Sequence, residues 1–306
     1  LAAAAGAMGW AATALARDYG PQAQPVRYPD PDIIVLDPRF KKYALGNTPI
    51  QRIYHSDEML WAEGPAWNGV GKYLLWSDIP NNRMLRYDDC DGSVSVFRQP
   101  ANNSNGNTVD AQGRLLSCEH LPRRVTRTEH DGSIRVIADR YKGKRFNSPN
   151  DLVVKSDGSI WFTDPPYGIL IDYEGGRAES EIGSCNVYRV DPESGEVAIV
   201  ADDFDKPNGL AFSPDEKILY VADTGASHRA EGPKHIRKLA VSGGGRTLGT
   251  SMVFADCTAG LFDGFRVDTS GRVWTSAGDG VHCYDPDGTL IGKIRIPELV
   301  ANVCFG

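Results

Sequence analysis

The sequence predicts an all-β fold, a six-bladed β-propeller of four-stranded blades whose ring is closed by an N-terminal strand. Three observations carry this. Five segments share one grammar: a polar or Gly-rich entrance, a strand, a turn with Gly or Asp, a second strand, then two further short strands. Their turn positions, Gly71, Gly113, Gly158, Glu216 and Gly271, are 42, 45, 58 and 55 residues apart, the period of a propeller blade with insertions in the third and fourth repeats. The presumptive strands are rich in β-branched and aromatic residues and are separated by Gly and Asp turn signals.

In chain order, residues 1–16 form a weakly apolar Ala/Gly-rich run ending in Ala14-Leu15-Ala16. It reads equally as the tail of an export signal or as an Ala-rich surface helix; it is too short and too poor in Leu and Ile to span a bilayer. Export would place the protein in the periplasm or outside the cell, with the cytoplasm as the alternative. Residues 1–24 are set apart as an N-terminal segment, and 25–306 as a single propeller domain.

Pro21 to Asp37 reads as an extended lead-in. Ile50-Gln51-Arg52-Ile53-Tyr54 is a candidate strand in the place that closes each repeat, and is expected to be the outer strand of the last blade. The first repeat opens at Glu63-Gly64-Pro65, the second at Asn107 with Asn105 just before it, the third at Asn150-Asp151, the fourth at Asn208-Gly209 and the fifth at Asp263-Gly264. Asn302-Val303-Cys304-Phe305-Gly306 has the look of the first strand of a sixth blade, whose middle two strands are expected beyond Gly306.

Composition narrows the function class. Of 306 residues, 41% are hydrophobic and 24% charged, enough for a sizeable core and unlike disordered or collagen-like chains. A net charge of -7 argues against nucleic acid or an anionic membrane as partner and favours a small molecule. The six cysteines are scattered with no CxxC pair, which disfavours a Cys-rich zinc site and favours free buried thiols over disulfides. No GxSxG elbow, phosphate loop or HExxH helix is present.

The chemistry lies at the entrances. The first strand of every propeller blade lines the central channel, so corresponding entrance residues face one another. Glu63, Asn150, Asn208 and Asp263 are all oxygen donors, and two carboxylates with two amide carbonyls suit a hard cation. Ca²⁺ is preferred, Mg²⁺ is an alternative, and Zn²⁺ is less natural. Each residue has a plainer reading: Asn-Gly and Asp-Gly are common turns, and Glu63 could be a solvated loop carboxylate. Their shared position in four repeats favours the ligand reading.

The motifs EGPAW (63–67), GNTVDAQGR (106–114), CEH (118–120), RRVTR (123–127), FNSPNDLVVKSDGSIWFTDPPYG (146–168), KPNGLAFSPD (206–215) and DGFRVDTSGR (263–272) together carry a resemblance. From about Ile33 to Gly306 the chain resembles the SMP-30/gluconolactonase/regucalcin-like calcium-dependent lactonases, and among them the bacterial gluconolactonases. The resemblance implies a six-bladed propeller, one divalent cation (Ca²⁺, with Mg²⁺, Zn²⁺ or Mn²⁺ as alternatives) on Glu63, Asn150, Asn208 and Asp263, and hydrolysis of an aldonolactone, D-glucono-1,5-lactone foremost.

The expected mechanism is a lactone carbonyl polarised by the cation and attacked by water, with Asp263 as both ligand and general base. Asn105, Glu119, His120, Asp164 and Tyr167 are candidates for holding the sugar. His120 reads equally as a histidine satisfied between blades, and Asp164-Pro165-Pro166-Tyr167 as a rigid turn. Two rivals stand beside this reading. One is a related lactonase or organophosphate esterase on the same scaffold; the other is a non-catalytic binding propeller with calcium as a structural plug, though WD and kelch signatures are absent.

Overall fold

The structure is a computed structural model that describes residues 17–20, 22–24 and 26–306. The Ala-rich run 1–16 lies outside the described residues. Five antiparallel sheets of four or five strands follow one another along the chain, with a two-stranded hairpin, Arg140–Tyr141 with Lys144–Arg145, between the second and the third. Blade one is Ala62–Asn68, Tyr73–Asp78, Arg83–Asp88 and Val94–Arg98. Blade two is Ser104–Val109, Leu115–Glu119, Arg124–Thr128 and Ile134–Ala138. Blade three is Leu152–Val154, Ile160–Asp164, Cys185–Val190 and Val197–Phe204. Blade four is Pro207–Phe212, Ile218–Asp223, His235–Ser242 and Thr247–Asp256. Blade five is Phe265–Val267, Val273–Ala277, Gly280–Tyr284 and Leu290–Arg295.

The first strands of blades one to five are neighbours in sequence order. The core lies mostly between blades: Leu116, Phe146, Phe162 and Tyr188 fill the space between blades two and three. Trp161, Leu210 and Leu219 fill the next, and Tyr220, Phe254, Phe265 and Tyr284 the one after. Such stacking explains why each sheet is apolar on both faces and why alternation along the strands is weak.

Turn chemistry follows the repeat. Gly113, Gly158 and Gly271 have φ of 80°, 83° and 81°, and Glu216 takes the same left-handed turn at 55°. In blade one that conformation belongs to Lys72 (49°), one residue after the expected Gly71. Glu216 carries a second duty: its carboxylate accepts from Ser156 N at 2.7 Å and from Lys155 Nζ at 2.9 Å, tying blade four to blade three.

Two expectations are corrected. The described residues form five blades, not six. After Arg295 the chain supplies one extended segment beside blade five, with Gly264 N donating to Ala301 O at 2.8 Å, but no second strand lies alongside it. The closing strand is also a different one. Ile50–Tyr54 forms no strand, because no third strand of a further blade lies beside it to pair with, and Tyr54 instead packs on Trp76 at 5.6 Å. Ile33–Val35 pairs antiparallel with Leu290–Arg295, so blade five gains a fifth strand. The following turn of 3₁₀ helix, Pro38–Tyr43, buries Phe40 against Trp274 and Gly292. All six cysteines are unpaired; Cys118, Cys257 and Cys283 are buried and Cys90 is exposed.

Candidate active site

In three of the five blades the entrance residue is aimed by a local irregularity in its first strand. The pairing of first with second strand slips between Glu63 and Ala66 in blade one, between Ser104 and Asn107 in blade two, and between Pro207 and Leu210 in blade four. Glu63, Asn105 and Asn208 therefore sit at the same bulge, a device that turns a side chain out of the pleat. In blades three and five the strand starts later, and equivalent bonds do the work. Thr163 N donates to Asp151 O at 3.0 Å and Ser276 N to Gly264 O at 3.1 Å, which fixes Asn150 and Asp263 just upstream.

Successive entrances are packed backbone to backbone. A Cβ on Gly106 would lie 2.4 Å from Asn150 O, and one on Gly209 would lie 2.3 Å from Asp263 O. Hydroxyls on second strands reach forward to the next entrance: Ser77 Oγ donates to Asn105 O at 2.9 Å and Thr163 Oγ1 to Asn208 O at 2.7 Å. The residues that the sequence singled out are thus brought to one end of the channel by glycine and hydroxyl contacts between blades.

Glu63, Asn150 and Asn208 are buried, and Asp263 is partly exposed. Burial pushes the Glu63 carboxyl up to about 7, against the pull of donation from Gly64 N at 2.7 Å and Asn302 Nδ2 at 3.1 Å. Asp263 is held well above the usual carboxylate range, first by burial, then by the negative charges of Glu63, Asp151 and Glu174; a hydrogen bond from Asn208 opposes this. The nearby cationic side chain, Arg266, is turned to Asp151, 3.7 Å away.

Two mutually repelling carboxylates and two amides, with no basic side chain among them, fit a hard divalent cation. Among the described residues no three His, Cys, Asp or Glu side chains cluster as a metal site.

The five candidates for holding substrate divide. His120 is fully buried, its Nδ1 is 3.0 Å from Glu174 O and its Nε2 is 3.4 Å from Asn105 Nδ2. A carbonyl only accepts, so Nδ1 carries the proton and Nε2 accepts from Asn105. Burial pushes His120 down to about 4, which keeps it neutral. Tyr167 joins the site as well: its hydroxyl is 3.0 Å from Thr224 Oγ1, and that oxygen in turn takes Asn208 Nδ2 at 3.3 Å. Burial raises the Tyr167 phenol, and the charges of Asp263 and Asp223 add to the effect.

Glu119 and Asp164 point elsewhere. The Glu119 carboxylate takes Arg124 Nε at 2.7 Å, Thr126 Oγ1 at 3.0 Å and Asn102 Nδ2 at 3.1 Å. Asp164 accepts Asn147 N at 2.8 Å, and burial pushes it up to about 7. Asp78 and Asp223 behave alike, accepting Leu60 N at 3.1 Å and Lys206 N at 2.9 Å. An acid at the end of the second strand in blades one to four thus secures that blade's own framework. Asn107, a further polar entrance residue, is consumed by Gly64 O, Asn105 O and the hydroxyls of Ser77 and Ser117. Two residues join the site without having been singled out for it. Asn302 occupies the position of Asp151, one residue past the entrance, a signal available from the repeat; Glu174 lies in an irregular loop and has no such signal.

The SMP-30/gluconolactonase/LRE-like region, as a family profile, matches residues 61–306. The chain belongs to this family. It is 34% identical over 298 residues to a gluconolactonase of Zymomonas mobilis, covering 90% of this chain and 80% of the relative. It is 31% identical over 255 residues to a pentonolactonase of Haloferax volcanii, covering 80% and 77%. The solved gluconolactonase of Xanthomonas campestris superposes with a TM-score of 0.82 at 41% identity, over 89% of this chain and 87% of that one. The protein is a lactone hydrolase of the gluconolactonase type. Among the described residues no helix is long and apolar enough to cross a membrane.

Proposed function

We propose that the protein opens D-glucono-1,5-lactone to gluconate at the channel mouth, with one divalent cation, Ca²⁺ ahead of Mg²⁺, Zn²⁺ or Mn²⁺, held by Glu63, Asn150, Asn208 and Asp263. The observation that carries this reading is the meeting of Glu63 and Asp263 with two amides, three of the four buried, in a setting that lacks a basic side chain of its own. When bound, such a cation supplies Lewis-acid chemistry, drawing charge from an ester carbonyl and lowering the pKa of water.

The side chains of the chain divide the remaining work. Water adds its oxygen to the lactone carbonyl carbon, the ring C–O bond breaks, and one proton must pass from the water to the departing ring oxygen. His120 has no proton to give, since its single N–H is committed to Glu174 O and the ring is neutral. Proton transfer is assigned to Asp263, whose carboxylate accepts from Asn208. His120 instead orients Asn105, and Tyr167 with Thr224 and Ser227 offers hydroxyls for a polyhydroxylated ring. Gluconolactonase and pentonolactonase relatives support a sugar lactone as substrate.

Comparison of kcat/KM for D-glucono-1,5-lactone, δ-valerolactone and an aryl phosphotriester tests the substrate class. The hydroxylated lactone should lead by at least about tenfold, as expected where a polar site would leave groups unpaired with the bare ring. Preference for δ-valerolactone or the phosphotriester would refute the sugar-lactone reading.

A further inference from the structure

The entrance residues are handed round the ring in one manner. Gly64 lies against Asn105 O, Gly106 against Asn150 O and Gly209 against Asp263 O, each where a Cβ would collide. Past blade five a side chain takes over this packing: a Cβ on Gly264 would lie 1.9 Å from Asn302 Cγ, as one on Gly106 would also lie 2.7 Å from Asp151 Oδ1. Gly264 N also donates to Ala301 O at 2.8 Å, much as Gly106 N donates to Asn150 O at 2.8 Å. Ala301 thus stands in the sixth place of the ring, and Asn302, one residue on, matches Asp151 of blade three: Val303 N donates to Asn302 Oδ1 at 2.8 Å as Leu152 N donates to Asp151 Oδ1 at 2.8 Å.

The Asn302 side chain is held from one end and used at the other. Asn302 Oδ1 accepts Val303 N at 2.8 Å, which assigns Nδ2 to Glu63 Oε2 at 3.1 Å. Gly64 N donates to the same Oε2 at 2.7 Å. Both donors converge on one oxygen, so Oε1 is the oxygen left for a ligand.

We propose that Asn302 is a positioning residue of the lactonase site, fixing the Glu63 carboxylate through Oε2 so that Oε1 is presented to a divalent cation. The proposal rests on the cation reading given above. Partners that orient a metal-ligating carboxylate typically cost 10–100-fold in affinity when lost.

The test is calorimetric titration of EDTA-stripped full-length protein with Ca²⁺ alone, for wild type, Asn302→Ala, Asn302→Leu, Glu63→Gln and the double variant Glu63→Gln/Asn302→Ala. The proposal predicts that both single Asn302 variants bind Ca²⁺ at least about tenfold more weakly. It also predicts that Asn302→Ala adds less than about twofold in the Glu63→Gln background, since the two act as a unit. Thermal unfolding of the stripped proteins checks that the variants are folded; Asn302→Leu keeps the volume of the side chain should Asn302→Ala be poorly behaved. Ca²⁺ binding within about twofold of wild type in the Asn302 variants, or equal losses with and without Glu63, overturns the proposal and leaves the cation reading intact. Wild-type protein that binds neither Ca²⁺ nor, in parallel titrations, Mg²⁺, Zn²⁺ or Mn²⁺ overturns both.

Discussion

His120 Nδ1 lies 3.0 Å from the carbonyl oxygen of Glu174 and donates its proton there, joining blade two to the long loop that follows the second strand of blade three. The loop is seated closely: a Cβ on Gly168 would lie 2.5 Å from His120 Cγ. One neutral imidazole thereby fixes both the amide of Asn105 and a loop that brings Glu174 and Tyr167 towards Asp263.

A stability change with pH follows from that burial. His120 is pushed from its ordinary 6.5 down to about 4, so the folded protein keeps it neutral while the unfolded chain takes up a proton below 6.5. The contribution is fully present above pH 6.5 and is lost as pH falls from there towards 4, to the extent of about 3 kcal/mol. Urea midpoints measured between pH 7 and pH 4.5 should fall with a steeper slope in wild type than in His120→Gln. Equal slopes would show that this histidine is not held neutral by the fold.

Cation removal should act with the opposite pH sense. Glu63 is raised to about 7 from its ordinary 4.5, so in cation-free protein its share of stability is greatest at low pH and is lost as pH rises from about 4.5 through 7. Chelation is expected to lower the unfolding temperature by several degrees at pH 8 and by less at pH 5.5. Glu63→Gln should flatten the difference, and differential scanning fluorimetry with and without EDTA reads it directly.

Gly106→Ala is expected to cost about 2–4 kcal/mol, because its Cβ meets backbone, Asn150 O at 2.4 Å and Asp151 Cα at 2.7 Å, which cannot swing aside. Chemical denaturation gives the loss. Displacement of Asn150 should weaken Ca²⁺ binding in the same variant, and a neutral substitution would contradict the packing between entrances.

Phe40→Ala should cost about 3–5 kcal/mol, the usual toll for deleting a buried phenyl ring. The ring is fully buried against Trp274, Tyr43 and Gly292, and it locks the strand Ile33–Val35 onto blade five. Faster amide exchange across Leu290–Arg295 in this variant would locate the damage.

Much of this architecture was legible in the sequence because a propeller repeats its turns and entrances. Spacing placed Gly113, Gly158, Glu216 and Gly271 at equivalent turns, and Glu63, Asn150, Asn208 and Asp263 at equivalent entrances. Ring closure was harder to read. Ile33-Ile34-Val35 and Ile50-Gln51-Arg52-Ile53-Tyr54 are both plausible strands, and what separates them is the partner, Leu290–Arg295, some 250 residues distant in sequence. Glu119 and Asp164 misled for a related reason: an acid past an inner strand has the same local appearance whether it faces the channel or takes donors from its own blade, as these do. Glu174 carried no pattern, since its place depends on a contact with His120.

Titration of EDTA-stripped protein with Ca²⁺, with acid release from D-glucono-1,5-lactone followed at each point, tests the central claim most directly. The account predicts negligible turnover in stripped wild type, activity that saturates near one equivalent per chain, and loss of at least about a hundredfold in Asp263→Asn. Full turnover in rigorously cation-free protein, or Asp263→Asn retaining the wild-type rate, would contradict it.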